Sequence, residues 1–390
     1  MIIMVVLPLL MAGFISFRLI WPLKIHFGWK IACVLPVAAV CFRFHLFRLL
    51  FGPRAFFLEL PDLILLPLAW AYSTLFLLFF MLAAVEAGRE AARLVLFRRT
   101  RRWFSEKLDR IFLKINLALI PVAALLALIG MCRGLSYPEV REVELAFPNL
   151  PPAAENCRIA VLTDLHADRA KASGKVRYVV DRTNGLKPDL ILMLGDMVDG
   201  TVKRRGRTVL PLGELRARFG VYAVPGNHEY YSGYAGWMKF YSGLGISLLE
   251  NANARLPNGI WLAGVTDAAA EKYHAVMPDL PKALHGIPAG SFIVLLYHRP
   301  KQAKLAAESG VSLQLSGHTH GGMIRIIDWI VALFNGGFVS GLYDVNGMKL
   351  YVSNGTGIWS GFPVRLGRDS EITLITLRRG GSEASHGRKQ

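Results

Sequence analysis

Apolar and polar positions follow two different patterns along this chain. Up to about residue 132 the apolar positions form long blocks, at 2–21, 31–51, 59–85 and 112–132. Each is near or above the roughly 20 residues that a helix needs to cross a hydrocarbon core. No basic residue precedes the first block (Met1-Ile2-Ile3-Met4), so it reads as a retained helix and not a cleaved signal peptide. Arg43, His45 and Arg48 interrupt the end of the second block, which leaves a re-entrant segment or a later start open there. Beyond residue 140 the blocks shorten. Residues 158–162, 189–194, 220–224, 260–265, 291–297 and 311–315 read as buried strands. Stretches 172–186, 209–219, 234–243 and 301–309 read as helices between them. This alternation predicts a layered α/β domain with sheets packed between helices.

Composition sharpens the division. The 390 residues leave room for two domains, and 53% of them are hydrophobic. Residues 1–132 carry 15 Lys and Arg against 6 Asp and Glu, and 133–390 carry 30 against 22, which together give the net +17. The first part is therefore a membrane segment with cationic loops. The second is mildly basic, suiting anionic substrates or a lipid surface. The predicted organisation is a transmembrane helical domain at 1–132, a linker and leading strand at 133–156, the layered α/β domain at 157–378 and a disordered Gly/Ser-rich tail at 379–390.

Within the first part, 89–110 holds eight Lys and Arg against Glu90, Glu106 and Asp109. Trp103, Phe104 and Leu108 beside those cations suggest an interfacial helix. The positive-inside rule makes this loop cytoplasmic and puts everything after Cys132 on the opposite, periplasmic face of an inner membrane. Arg43, Arg48 and Arg54 fall on the outer side in that scheme and weigh against it. Cys33, Cys41, Cys132 and Cys157 have no metal-ligand spacing, and a Cys132–Cys157 disulfide would require export.

Chemistry concentrates where predicted strands end. Asp164-Leu165-His166 follows 159–163, and i, i+2 side chains of an extended segment would point the same way. Gly195-Asp196-Met197-Val198-Asp199 follows 190–194, and Gly226-Asn227-His228-Glu229 follows 221–225. His298 ends 292–297, and Gly317-His318-Thr319-His320 follows 313–316. Any one cluster is an ordinary polar turn. Five in this order, each after a strand, define a metal site.

The series DxH, GDxxD, GNHE, H, GHTH resembles the calcineurin-like metallophosphoesterase superfamily over roughly 157–378. The stretch Gly317-His318-Thr319-His320-Gly321-Gly322 resembles a bacterial membrane-associated phosphodiesterase branch. So does the late stretch through Tyr351-Val352-Ser353-Asn354-Gly355-Thr356-Gly357, Pro363-Val364-Arg365 and Glu371-Ile372. Met323 stands where that branch often has Gln. Some members of the branch are associated with hydrolysing UDP-2,3-diacylglucosamine. The resemblance implies two packed mixed β-sheets flanked by helices, behind an all-α transmembrane domain of about four helices.

It also implies roles. Asp164, His166 and His320 would bind one divalent metal, Asn227, His298 and His318 a second, and Asp196 would bridge them. Ligation by oxygen and nitrogen without thiolate suits Mn, Fe or Zn. His228 would serve the leaving group and Asp199 would orient it. Asp168 reads as a turn or cap residue and Glu229 as a cap of the following helix, while Arg365 is a candidate phosphate contact. The implied activity is metal-activated hydrolysis of a phosphodiester or pyrophosphate.

Two greasy stretches, Tyr230 to Tyr241 after GNHE and 326–338 after GHTHGG, point to a phospholipid or nucleotide-lipid substrate. Soluble nucleotides or phosphomonoesters, and a catalytically silent membrane sensor or scaffold, are the alternatives. Lys203-Arg204-Arg205 and Arg207 read as a solvated loop, with no groove for nucleic acid. No protein partner follows from the sequence.

Overall fold

The computed structural model describes residues 2–52, 61–96, 103–168 and 172–380. It divides into two compact units. One takes in residues up to Cys132 together with Gly361–Val364, and the other takes in Arg133–Ser360 and the chain from Arg365 onward.

The first unit is helical. α1 (Ile2–Ile15) continues into a π-turn over Ser16–Ile20, followed by α2 (Phe27–Cys41), α3 (Arg43–Phe51), α4 (Asp62–Leu96) and α5 (Trp103–Leu135). Pro8, Pro36, Pro67 and Pro121 sit inside α1, α2, α4 and α5. Internal prolines are tolerated in membrane helices, where neighbouring groups re-satisfy the freed carbonyls.

Among the described residues two stretches are long and apolar enough to cross a membrane, Asp62–Arg93 and Asp109–Leu135. α2 and α3 would make a third if taken as one span, bent by 73°; Val5–Ile20 is shorter. Four apolar blocks thus give two or three candidate spans. The second block breaks at Phe42, where the backbone leaves the helical region. There Arg43 is buried, its guanidinium 3.6 Å from the centroid of the Tyr72 ring and donating to the Gly361 carbonyl. The expected interfacial helix is not a separate element. Residues 97–102 lie outside the described residues, and the remainder of 89–110 forms the end of α4 and the first turns of α5.

The second unit holds two six-stranded mixed sheets. The strands are β1 (Glu139–Phe147), β2 (Arg158–Leu162), β3 (Leu190–Met193), β4 (Val221–Ala223), β5 (Ser247–Leu248), β6 (Ala252–Arg255), β7 (Trp261–Gly264), β8 (Ile293–Leu296), β9 (Leu313–Ser316), β10 (Gly341–Val345), β11 (Met348–Val352) and β12 (Glu371–Arg379). The first sheet has the order β1-β12-β2-β3-β4-β5 and the second β10-β11-β9-β8-β7-β6. β2, β3 and β4 are mutually parallel, as are β7, β8 and β9. Parallel strands covered on both faces read as continuous apolar runs, and all four residues of Leu190-Ile191-Leu192-Met193 are buried.

Alternation then sorts the side chains. Ile159, Val161, Leu192 and Leu194 meet Leu262, Val294, Leu296, Leu313 and Leu315 in the core between the sheets. Ala160, Leu162, Ile191 and Met193 face the other way, onto Val176, Val179 and Val180 of α6 (Ala172–Gly185).

The helix expected at 209–219 lies earlier. α7 spans Val202–Val209 and a 3-10 turn covers Leu210–Glu214. The basic cluster read as a solvated loop is this helix, with Arg205 buried and its Nε donating to the Asp199 carbonyl at 3.1 Å. All four cysteines are free. Of the tail expected to be disordered at 379–390, Arg379 is the last residue of a strand, and residues 381–390 lie outside the described residues. Leu192 is fully buried between the sheets, so Leu192→Ala is expected to lower stability by about 2–5 kcal/mol. Chemical denaturation of the purified protein measures this.

Candidate metal centre

The loops that leave β2, β3 and β4 of one sheet, and β8 and β9 of the other, carry the polar clusters. All are the carboxyl ends of parallel strands. β2 and β3 pair in register, so the loops bearing Asp164 and Asp196 emerge side by side. Backbone bonds knit them together: Asp164 N–H donates to Gly195 O at 3.0 Å, His166 N–H to Asp196 O at 3.1 Å and Ala167 N–H to Met197 O at 3.0 Å.

The DxH segment is not extended, as the spacing had suggested. Asp164, His166, Asp196, His318 and His320 all adopt positive φ, between 48° and 70°. For such residues this conformation costs about 1–3 kcal/mol each and persists only where surroundings impose it. Glycines make the room: a Cβ on Gly317 would lie 2.2 Å from Asp164 Oδ2, and one on Gly226 would lie 2.3 Å from Asp196 Oδ1.

Three groups of ligand atoms result, each within 4.8 Å: Asp164, His166 and His320; Asp196, His298 and His318; His166, Asp196 and His228. His166 Nε2 lies 3.9 Å from both Asp164 Oδ1 and Asp196 Oδ2 and 3.1 Å from His320 Nε2. His298 Nδ1 donates to the Leu194 carbonyl at 2.7 Å, which fixes the tautomer and leaves Nε2 facing Asp196 Oδ2 at 3.2 Å. Asn227 Oδ1 and His298 Nε2 are buried with no hydrogen-bond partner among the described residues.

Buried acceptors and imidazole nitrogens converging on two carboxylates fit divalent cations, which would satisfy them all at once. Burial raises Asp164, and Asp196's charge adds to the rise. Burial and the neighbouring His298 hold His318 well below the ordinary histidine value, and burial and His166 do the same for His320. Both therefore stand neutral, the state in which imidazole ligates a metal.

Asp199 accepts from two imidazoles, His166 Nδ1 at 3.2 Å and His228 Nδ1. Burial would raise its carboxyl, but the His228 and His166 charges hold it well below the carboxylate range. Burial alone would lower His228, yet Asp199 and Asp196 raise it to about 9, so it is protonated at neutral pH.

Glu229 caps its helix through Gly226 N–H at 2.8 Å, and it does more. Its oxygens also accept from Asp196 N–H and Met197 N–H at 2.9 Å each, tying the GNHE turn to the loop that presents Asp196. Asp168 lies just past Ala167, whose backbone bridges Val198, and its carboxyl is raised by burial and by Asp199.

Arg365, the candidate phosphate contact, has its side chain turned into the protein. Its side chain is fully buried and donates to the carbonyls of His320, Asn354, Gly357 and Arg368 at 2.7–3.2 Å, pinning the loops behind His320. Asp267 is absent from the five sequence clusters, yet it is fully buried and held in a two-point pair with Arg299, which follows the candidate ligand His298 in the chain. Thr266-Asp267 follows β7 just as the five recognised clusters follow their strands, so the signal was present.

The family described as calcineurin-like phosphoesterase matches residues 157–322. The chain is 34% identical over 313 residues to a transmembrane protein with metallophosphoesterase domain from Bos taurus, covering 76% of this chain and 70% of that one. The Danio rerio protein of the same description is 36% identical over 275 residues, covering 67% of this chain, which spans 62% of its length. An uncharacterised metallophosphoesterase of Campylobacter jejuni is 32% identical over 313 residues, with 80% and 81% covered. The chain belongs to the calcineurin-like metallophosphoesterase family, whose members use divalent metals.

Removing the Arg365 side chain leaves buried carbonyls unpaired, at about 1–3 kcal/mol each. Arg365→Ala is expected to lower the thermal unfolding midpoint while leaving KM for a soluble phosphodiester unchanged in the folded fraction.

Proposed function

We propose that this protein is a membrane-anchored dinuclear phosphodiesterase acting on a phospholipid or nucleotide-lipid, with its catalytic unit on the periplasmic face of a bacterial inner membrane. The observation that carries the chemistry is Asp196, whose one carboxylate belongs to two ligand groups, with His298 and His318 on one side and His166 and His228 on the other. In this reading Asp164, His166 and His320 would hold one cation, Asn227, His298 and His318 would hold the other, and Asp196 would serve both. Bound there, divalent cations would supply Lewis acidity toward the phosphoryl group and toward water.

The chain's own residues supply the rest. His228, kept protonated by Asp199 and Asp196, delivers its proton from Nε2 to the departing oxygen. Asp199 fixes the ring by accepting from Nδ1. A lipid substrate is supported by the segment after the GHTHGG turn, where Ile326, Trp329, Leu333 and Phe334 are all exposed; the last three lie on the short helix Asp328–Phe334. The membrane side rests on the positive-inside count over 89–110.

Full-length protein in detergent with added Mn²⁺ is expected to cleave bis-p-nitrophenyl phosphate faster than p-nitrophenyl phosphate, and Asp196→Ala to abolish both activities. Faster cleavage of the monoester would make the protein a phosphatase, and silence on both with metal bound would favour a sensor. His228→Ala is expected to retain metal, measured by elemental analysis, while turnover falls about 10²–10⁴-fold. In Asp199→Asn the charge that raises His228 is gone, so its proton leaves at lower pH. The alkaline limb of kcat/KM is expected to move toward neutrality, and an unmoved limb would assign it to another group.

A further inference from the structure

A second site lies within the helical unit, away from the metal ligands. A cavity of ≈ 430 Å³ is lined by Arg18 on the π-turn after α1, Lys24 in the loop that follows, Arg89 on α4, and Arg110 and Asn116 on α5, with Asp109 the single lining carboxylate. Pro22, Leu23, Phe112 and Leu113 complete its wall.

Part of this charge has a structural use. Arg18 and Arg89 both pair with Glu86, and Arg89 also reaches Asp109. The pairing is incomplete. The Nε atoms of Arg18 and Arg89 are buried with no hydrogen-bond partner among the described residues, and so is Oδ1 of Asn116, a residue only 6% exposed. Burying two guanidinium N–H groups and an amide oxygen unsatisfied is costly, so the internal ion pairs do not use up the polar groups gathered here. The amide of Asn116 can turn to present either end.

We propose that this cavity binds the phosphate of an anionic phospholipid. Arg18, Lys24, Arg89 and Arg110 line the cavity against the one lining carboxylate of Asp109, and that excess of positive charge selects an anion. The apolar wall beside them suits the glycerol and first methylenes of a lipid better than a fully hydrated free anion. Its place fits too, since Arg18 closes the first apolar helix, Arg89 ends the apolar part of α4, and Arg110 opens that of α5. Basic pockets between helices at a membrane edge recognise lipid headgroups by this chemistry.

The test uses the full-length protein in detergent and reads thermal unfolding, not turnover, so it stands or falls separately from the phosphoesterase reading. Phosphatidylglycerol, phosphatidylcholine or inorganic phosphate is added at matched concentration. Phosphatidylglycerol is expected to raise the midpoint and the other two to leave it unchanged. Lys24→Gln, at an exposed position, is expected to weaken the phosphatidylglycerol effect about fivefold without altering the midpoint in detergent alone. Asn116→Leu, which keeps the volume and removes the amide, is expected to weaken it further. An equal rise with phosphatidylcholine would mean general lipid solvation. A rise with inorganic phosphate alone would mean a free-anion site, and a full effect in both variants would place the lipid elsewhere. Any of these three results overturns the proposal.

Discussion

Two carboxylates that ought to repel each other are the constraint around which the catalytic unit is built. Asp164 and Asp196 stand at the ends of adjacent parallel strands, both almost wholly buried. Neighbouring strands lie about 4.8 Å apart, so the sheet itself forces the proximity. Side by side in a low dielectric, two such groups cannot both stay ionised without positive charge between or around them. The surrounding imidazoles and the cations they would hold answer that demand. The second sheet matters to function because it delivers His298, His318 and His320 to the open side of the pair.

The backbone around this pair is under strain that the rest of the unit has to hold. Left-handed conformations at five non-glycine residues would relax if the loops were free. They are not free: Glu229 ties the GNHE turn to the Asp196 loop through three backbone N–H groups, and Asp164 accepts from His318 N–H at 2.9 Å across the two sheets. Arg365 anchors the loops behind His320 in the same way. Glu229 and Arg365, which hold these loops, are as buried as the candidate ligands themselves.

Much of this was legible in the sequence, for a physical reason. Buried parallel strands need uninterrupted apolar runs, and polar clusters at their ends have little structural use, so 158–162 and 189–194 followed by DxH and GDxxD stood out. What escaped notice depends on contacts remote in sequence. Little that is local distinguishes Arg365 from a surface arginine, since three of its four carbonyl partners lie 8 to 45 residues away. Arg205 was hidden in a run of charge that looks solvated, because burial of one side chain in such a run follows only from where α7 sits. The i, i+2 argument for Asp164 and His166 failed because it assumed strand geometry beyond the strand's last residue. The two still converge, by a turn and not by a pleat.

The pairing of β1 with β12 has a consequence for how this protein is made. All nine residues of β1, Glu139–Phe147, align in parallel with Glu371–Arg379, and β12 then separates β1 from β2. During synthesis, β1 emerges directly after the apolar helices and finds no neighbour until some 230 residues later. Contacts that distant are slow to form. Throughout that interval β1 offers unsatisfied edges, and β2, which leads into the loop bearing Asp164, lacks the neighbour that will cover its outer side. β12 follows the other eleven described strands in the chain, so the first sheet closes only after all of them have been made, and a chain cut short before β12 would leave two edges bare.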